Sequence, residues 1–249
     1  MINNSKILEK VDGEDGYYDA LKLSYDDTFK LEKIVHEHFS TQLISKYPEA
    51  SEEIKNLKID NYHNLLKDFP HIDHSFLGVK KRRILPNNLS KKFRNLDFFK
   101  LLENDLGPIK ITNEEGLYDE EIYWRLTRPG HNDVGPMHAD KWFWDLGHGS
   151  TPPEYRRLKI WISIYNETGL NGLRYVKGSH LKDWPYHGEE RDGFVKPMID
   201  ITDDKLDITK FLSSPGNAFI FNDKLLHGGF SGGNNSRISI ECTMLIKRN

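Results

Sequence analysis

The sequence predicts a mainly β fold with flanking helices, and three features of its hydrophobic pattern carry that prediction. Near Pro108 the repeat of apolar residues changes from roughly 3.6 to 2, the switch from helix to strand. The segments beyond it are short and separated by Gly, Pro and Asn turns. The best formed also have one apolar and one mixed polar face. Leu158, Ile160, Ile162 and Ile164 oppose Lys159, Trp161, Ser163 and Tyr165, while Ile238, Ile240, Cys242 and Met244 oppose Arg237, Ser239, Glu241 and Thr243. An antiparallel sandwich or barrel with a wet interior, covered outside by N-terminal helices, satisfies both faces. The expected layout is a single domain over 1–249, with 1–107 a mainly helical wrap and 108–249 the β core.

In chain order, 26–47 reads as helix because Phe29, Ile34, Val35, Phe39 and Leu43 recur at helical spacing. Ser24 and Asp27 form a capping pair at its start, and Pro48 ends it. Residues 51–57, 60–67 and 90–106 continue the pattern, the last with Phe93, Leu96, Phe99 and Leu102 at three-residue steps before Gly107-Pro108. The strand candidates are 109–112, 121–127, 158–165, 173–176, 217–222, 225–230 and 237–246.

Composition narrows the function. The 35 Lys+Arg against 38 Asp+Glu leave a net charge of −3, which argues against a polyanion binder, so nucleic acid is not an expected partner. No run approaches the roughly 18 to 20 apolar residues of a membrane span, and the start Met1-Ile-Asn-Asn-Ser-Lys6 lacks the basic-then-apolar order of a signal peptide. A cytoplasmic protein with no membrane partner is the expectation. The single cysteine, Cys242, excludes an internal disulfide and any multi-thiolate metal site made by this chain alone, so a metal must be held by His and carboxylate. Cys242 itself falls on an apolar face and reads as a small buried hydrophobe.

Four residues carry the chemistry: His138 and Asp140 in Pro136-Met-His-Ala-Asp140, His227 in Leu226-His-Gly-Gly229, and Arg237 in Arg237-Ile-Ser239. Residues two apart in a strand project from one face, so His138 and Asp140 offer a nitrogen and an oxygen to one ion. A third imidazole, with His227 the candidate, completes the two-His, one-carboxylate triad that suits non-haem Fe(II) oxygenases. The turn-rich Ser231-Gly-Gly-Asn-Asn-Ser236 signals a hairpin; centred near Gly232, it makes His227 and Arg237 cross-strand partners on one face. A fixed guanidinium beside a metal anchors a carboxylate, and Ser239 points the same way as a further donor.

With these residues in view, 120–246 resembles the phytanoyl-CoA dioxygenase family of Fe(II)/2-oxoglutarate-dependent oxygenases. The matching stretches are His138-Ala-Asp140, Leu158-Lys-Ile-Trp-Ile-Ser163, Gly172-Leu-Arg-Tyr-Val-Lys-Gly-Ser-His180, Pro215-Gly-Asn-Ala-Phe-Ile-Phe221, and His227 followed ten residues later by Arg237. The resemblance implies a double-stranded β-helix (jelly-roll) core, Fe(II) on His138, Asp140 and His227, 2-oxoglutarate on Arg237, and O2 as co-substrate. It also implies that Trp161 lines the co-substrate pocket. Where the family often has a hydroxyl residue two after the second His, this chain has Gly229. Related halogenases have Gly or Ala at the carboxylate position, so the resemblance makes Asp140 favour hydroxylation, here of a small soluble metabolite, with desaturation or ring closure as the open alternatives.

Of the other His-x-Asp triplets, His71-Ile-Asp73 lies in the helical half, and His131-Asn-Asp133 after Pro129-Gly130 reads as a turn. Trp142, Phe143 and Trp144 follow the metal motif and read as part of a substrate lid. Arg125, on a strand leading to that motif, is a candidate for an acidic group on substrate or co-substrate, and Arg174 is a second pocket candidate. Lys80-Lys-Arg-Arg83 reads as a solvated turn. The alternative from another class is a cupin-like metalloprotein, isomerase or small-molecule binder, that does not use 2-oxoglutarate; a carboxylate anchor at Arg237 distinguishes the two.

Overall fold

The computed structural model describes residues 5–191 and 194–248, so the first four residues read above lie outside it. Among the described residues, seven α-helices precede the main strands: α1 (Lys6–Asp12), α2 (Tyr25–Lys46), α3 (Ser51–Asn56), α4 (Tyr62–Asp68), α5 (Ser75–Gly78), α6 (Asn87–Arg94) and α7 (Asp97–Leu106). A five-residue α8 (Lys141–Asp145) follows the metal motif. The strands are β1 (Tyr17–Lys22), β2 (Lys110–Ile111), β3 (Ile122–Thr127), β4 (Tyr155–Tyr165), β5 (Gly172–Val176), β6 (Tyr186–Arg191), β7 (Phe194–Ile199), β8 (Ile208–Lys210), β9 (Asn217–Asn222), β10 (His227–Phe230) and β11 (Arg237–Lys247).

They form a jelly roll of two main sheets. The larger runs β1-β9-β4-β11-β2, with β3 also on β11; the smaller runs β10-β5-β8; β6 and β7 make a separate antiparallel ribbon. The larger sheet's apolar face buries Ile122, Trp124, Ile160, Ile162, Ile220, Ile238, Ile240 and Met244 against the helices in one continuous core. This desolvation is the main stabilising contribution, about 1.5–3 kcal/mol for each fully buried large side chain. At its centre Trp124 donates its indole N–H to Nδ1 of His38 on α2 (3.0 Å). Cys242 is buried on this face, and burial pushes its thiol up to about 12.

Most expected elements are present, with instructive differences. Ser24 Oγ does cap α2, accepting from Asp27 N at 3.0 Å. Asp27, however, turns away and accepts from Phe98 N (2.8 Å) at the start of α7, so the helix expected over 90–106 is two helices, the second capped by a residue 71 positions earlier. Phe29, expected in the core, is exposed, and Leu31 takes the inward position. The helical wrap also contributes a strand: β1 pairs antiparallel with β9 as an edge of the larger sheet. The expected hairpin between His227 and Arg237 does not form. β10 pairs β5 whereas β11 pairs β3 and β4, so 231–236 crosses from one sheet to the other. The turn residues there bend the chain between layers rather than within one.

Candidate active site

The larger sheet's second face looks toward the smaller sheet, and there the side chains are polar. His138 and His227 meet in an isolated antiparallel bridge, each backbone N–H donating to the other's carbonyl at 3.0 and 2.9 Å. Asp140 is not in a strand: its backbone is helical and it opens α8, which swings its carboxylate back toward the two rings. One ligand atom from each of His138, Asp140 and His227 lies within 4.8 Å of the others. Nε2 of His138 is 3.9 Å from Asp140 Oδ1, and Nε2 of His227 is 3.7 Å from Oδ2.

The surroundings fix the donors. His138 Nδ1 lies 2.9 Å from the Pro136 carbonyl and His227 Nδ1 lies 3.0 Å from the Leu225 carbonyl, so each Nδ1–H donates to backbone and each Nε2 lone pair is left for an ion. Burial, then the facing His227, holds the His138 imidazole down at about 4, keeping it neutral as a ligand must be. Burial alone would raise Asp140, but Lys159, His227 and His138 outweigh it and hold its carboxyl below the usual range. Asp140 Oδ2 is buried without a hydrogen-bond partner. Two neutral nitrogens, one orphaned carboxylate oxygen and mutual proximity fit a divalent metal. Phe221 packs on the His227 ring (4.5 Å) and Phe143 meets His138 edge-on (5.7 Å).

Arg237 is buried on the same inner face. Its guanidinium donates to Thr127 Oγ1 (2.8 Å) and to the Gly172 carbonyl, while Nε is buried without an acceptor. Burial and then Arg125 lower it to about 10, still a cation at neutral pH. Ser239, two residues on, is fully buried with its hydroxyl unpartnered. Unmet polar atoms at Arg237 and Ser239 fit a carboxylate ligand, since a buried unsatisfied donor costs about 1–3 kcal/mol. Gly229 makes room: a Cβ there would sit 3.2 and 3.4 Å from the two Arg237 Nη atoms. The hydroxyl common in the family is absent here, and a side chain in its place would crowd the guanidinium. Trp161 lies on the inner face too, packed edge-on to Phe211.

Of the proposed substrate residues, Arg125 is on the inner face, opposite Ser239 on β11. Trp142 stacks on Tyr186 at 4.5 Å and belongs to an apolar cluster with Met137, Ala139, Val176 and Leu226. Trp144 lies over the Arg157 guanidinium (3.5 Å) and donates to Glu114 (2.8 Å). Arg174 is directed elsewhere, bonded to Asp203 (2.7 Å) and the Gly229 carbonyl, because strand alternation puts Leu173 and Tyr175 on the inside instead. The other His-x-Asp triplets are spoken for: His71 pairs with Glu49 and Asp73 with Ser75, while Asp133 is held by both Arg128 and His74. Lys80 is not simply solvated, since it reaches the buried Glu121.

The sequence reading missed an ion cluster beside the metal site. Lys159 Nζ is 3.9 Å from Asp140 Oδ2, 3.5 Å from Glu241 Oε2 and 3.0 Å from the Tyr123 hydroxyl, and Glu241 Oε1 accepts from Arg125 Nε. The result is an alternating series, Asp140–Lys159–Glu241–Arg125. Burial would raise Glu241, but Arg125 and Lys159 hold it far below the usual carboxylate range. The available signal was a Lys and a Glu on strand faces shared with Trp161 and Ser239.

The phytanoyl-CoA dioxygenase (PhyH) family profile matches residues 58–239. The chain belongs to that family. Solved structures of similar fold include AviO1 from Streptomyces viridochromogenes Tue57 (14% identity, 98% of this chain and 95% of that chain, TM-score 0.53). EvdO2 from Micromonospora carbonacea var. aurantiaca is 12% identical over 99% and 92% of the chains, TM-score 0.54. EctD from S. alaskensis, a structure with bound Fe, is 12% identical over 98% and 76%, TM-score 0.52. No curated protein sequence matches this chain significantly. Family and site together support a non-haem iron oxygenase of the Fe/2-oxoglutarate type, with His138, Asp140 and His227 able to hold the iron. No helix among the described residues is long and apolar enough to cross a membrane.

Proposed function

We propose that this PhyH-family protein hydroxylates an unactivated C–H bond of a small soluble metabolite, coupled to conversion of 2-oxoglutarate and O2 into succinate and CO2. One oxygen atom goes to the product alcohol and the other to succinate. The observation that carries the reading is the coincidence, in the space between the two sheets, of the three metal donors with the unpartnered Arg237 Nε and Ser239 hydroxyl. When bound, iron supplies the oxygen activation that no side chain provides.

The chain's own residues hold, orient and shield. His138 and His227 present Nε2 because backbone carbonyls occupy their Nδ1–H groups. Asp140 completes the ligand set, with Lys159 beside its second oxygen. Arg237, with Ser239 and Trp161, takes the distal carboxylate of 2-oxoglutarate and so fixes its direction relative to the metal. Phe143 and Phe221 narrow the metal's surroundings with apolar edges, and α8, carrying Phe143 and Trp144, is the segment placed to respond to substrate. Arg125 offers a cation to an acidic group. The test is anaerobic addition of Fe(II) and 2-oxoglutarate: a visible charge-transfer band is expected, with stoichiometric succinate on admitting O2. A colourless complex and no succinate would sink the proposal and favour a metalloprotein that does not use the diacid.

A further inference from the structure

We propose that Arg157 anchors the molecule to be oxidised by a carboxylate of its own, which makes the substrate a small monocarboxylic acid and not a phosphate ester. This rests on the oxygenase reading above and adds the substrate class to it. Two separate routes through the fold place Arg157 one step from the metal carboxylate. Leu158 and Ile160 of β4 face the helices, so the inner face of that strand carries Arg157, Lys159 and Trp161 in order, each about 6.6 Å from the next. Lys159 Nζ is 3.9 Å from Asp140 Oδ2. Trp161 belongs to the co-substrate side, and Arg157 therefore falls on the other side of Asp140. Along α8, Asp140 and Trp144 are four residues apart and share a face, separated by about 6 Å of helical rise. Trp144 lies over the Arg157 guanidinium at 3.5 Å, so strand and helix converge on the same position.

The guanidinium there has charge and donors to spare. Arg157 is 8% exposed, and its Nε and Nη2 are buried without an acceptor. Its chain neighbour Arg156 is bonded to Asp12 by contrast. Buried unmet donors on a side chain that stays protonated at any working pH favour an arriving anion. The nearest acids are otherwise engaged: Glu114 accepts the Trp144 indole N–H (2.8 Å), and Asp145 is bonded to Lys141 (2.7 Å). Asp223, in the turn after β9, limits how much charge fits. Leu158 pairs with Asn222, which brings Asp223 opposite Arg157, and the Asp223 carbonyl accepts from Lys141 N (2.8 Å), next to Asp140. Burial and then Asp140 push the Asp223 carboxyl up to about 6, while Arg157 pulls it back. Beside that acid a phosphate dianion meets twice the repulsion that a carboxylate does, so the singly charged group is selected.

The test uses protein saturated with Mn(II) and 2-oxoglutarate without O2, so that the metal and Arg237 are occupied. The probes are butanoate, its neutral isostere butanamide, and methyl phosphate. Binding is read by calorimetry and by the fluorescence that Trp144 contributes. Butanoate is expected to bind about tenfold or more tightly than either other probe, as a charge-assisted pair requires. Arg157→Gln removes that preference while Mn(II) and 2-oxoglutarate bind as in wild type, and Arg157→Lys keeps part of it. Trp144→Phe keeps the calorimetric binding and loses the fluorescence change. The proposal is overturned if wild type binds butanoate no better than butanamide, if methyl phosphate binds best, if Arg157→Gln retains the preference, or if Trp144→Phe retains the fluorescence change. It is equally overturned if the Gln and Lys variants both lose Mn(II), as a merely structural residue would. Failure of the wild type to bind 2-oxoglutarate removes the reading above but not this test: the acid–amide comparison on Mn(II)-loaded Arg237→Gln protein, where no second anchor competes, still decides Arg157.

Discussion

Lys159→Met is the perturbation that most directly probes how the ion cluster serves the metal site. At an effective dielectric of ~20, the 3.9 Å and 3.5 Å separations of Lys159 Nζ from Asp140 and Glu241 correspond to gross attractions of about 4–5 kcal/mol each. Much of this offsets the desolvation of three buried ions, and removing one partner of such a group costs about 3–5 kcal/mol because the remaining charges are left uncompensated. For a chain of this length, about 2–4 °C of melting temperature per kcal/mol gives an expected fall of roughly 10 °C in metal-free protein. With a divalent ion present the sign of one term reverses. Lys159 and the ion compete for the same carboxylate, so its removal should strengthen Mn(II) binding, by about tenfold if 1.4 kcal/mol of that competition is released. Thermal melts of EDTA-stripped and Mn(II)-loaded protein, with EPR titration, measure both. Weaker Mn(II) binding in Lys159→Met than in wild type, or an equal melting loss with and without metal, would refute the reasoning.

Three further outcomes are expected. Asp140→Ala removes the only carboxylate of the triad and should lower Mn(II) affinity at least a hundredfold by EPR while leaving the far-ultraviolet circular dichroism of the fold in place. Gly229→Ser brings a side chain within 3.0 Å of Val134 Cγ1 and 3.2 Å of Arg237 Nη1, so 2-oxoglutarate should bind several-fold more weakly in calorimetry; unchanged affinity would show that the close approach has no role. His38 is buried and accepts the Trp124 indole N–H, and burial lowers it from 6.5 to about 4, so the unfolded chain binds the extra proton between those values. The stability it contributes is fully present above pH 6.5 and is lost as pH falls toward 4, about 3 kcal/mol in all. His38→Gln should therefore melt with a flatter acid limb than wild type, and parallel limbs would contradict the assignment.

What was legible in the sequence follows from how local the responsible interaction is. The alternation in 158–165 and 237–246 reports strand faces directly, and β4 and β11 follow it almost residue for residue. Arg237 and Ser239 share a face as the strand period requires, whereas His138, Asp140 and His227 come together by another route than the one expected, Asp140 through a helical turn and His227 without a hairpin to Arg237. The misreadings all involve a partner distant in sequence. The break before α7 depends on Asp27, and the turn after Phe230 is followed by a change of sheet that no local preference encodes. Trp142, two residues past Asp140, stacks on Tyr186, because the chain there is helical and no longer follows the strand period. The short β6, β7 and β8 have no sustained apolar alternation and were not found.

The same alternation accounts for a charged cluster inside a small protein. A sandwich normally buries both inner faces as hydrophobic core. Here the larger sheet's apolar face points outward and is desolvated by the helices, so the principal core lies between sheet and helices rather than between the two sheets. The inner face keeps a smaller aromatic cluster around Trp161, Phe219 and Phe221, and beyond it is free to carry Arg125, Lys159, Arg237, Ser239 and Glu241. Adjacent residues of β11 consequently divide the work, Ile238 and Ile240 stabilising the fold and Arg237 and Ser239 facing the site. Arg125, Lys159 and Glu241 are tolerated there because they serve as one another's counter-ions, whereas Arg237 has only the Thr127 hydroxyl and the Gly172 carbonyl; the unmet donors and acceptors fall where a metal and a diacid would meet them: Asp140 Oδ2, Arg237 Nε and Ser239 Oγ. The helical wrap is therefore no appendage to the β core. By supplying the hydrophobic partner outside, it allows the inside to be a reaction chamber.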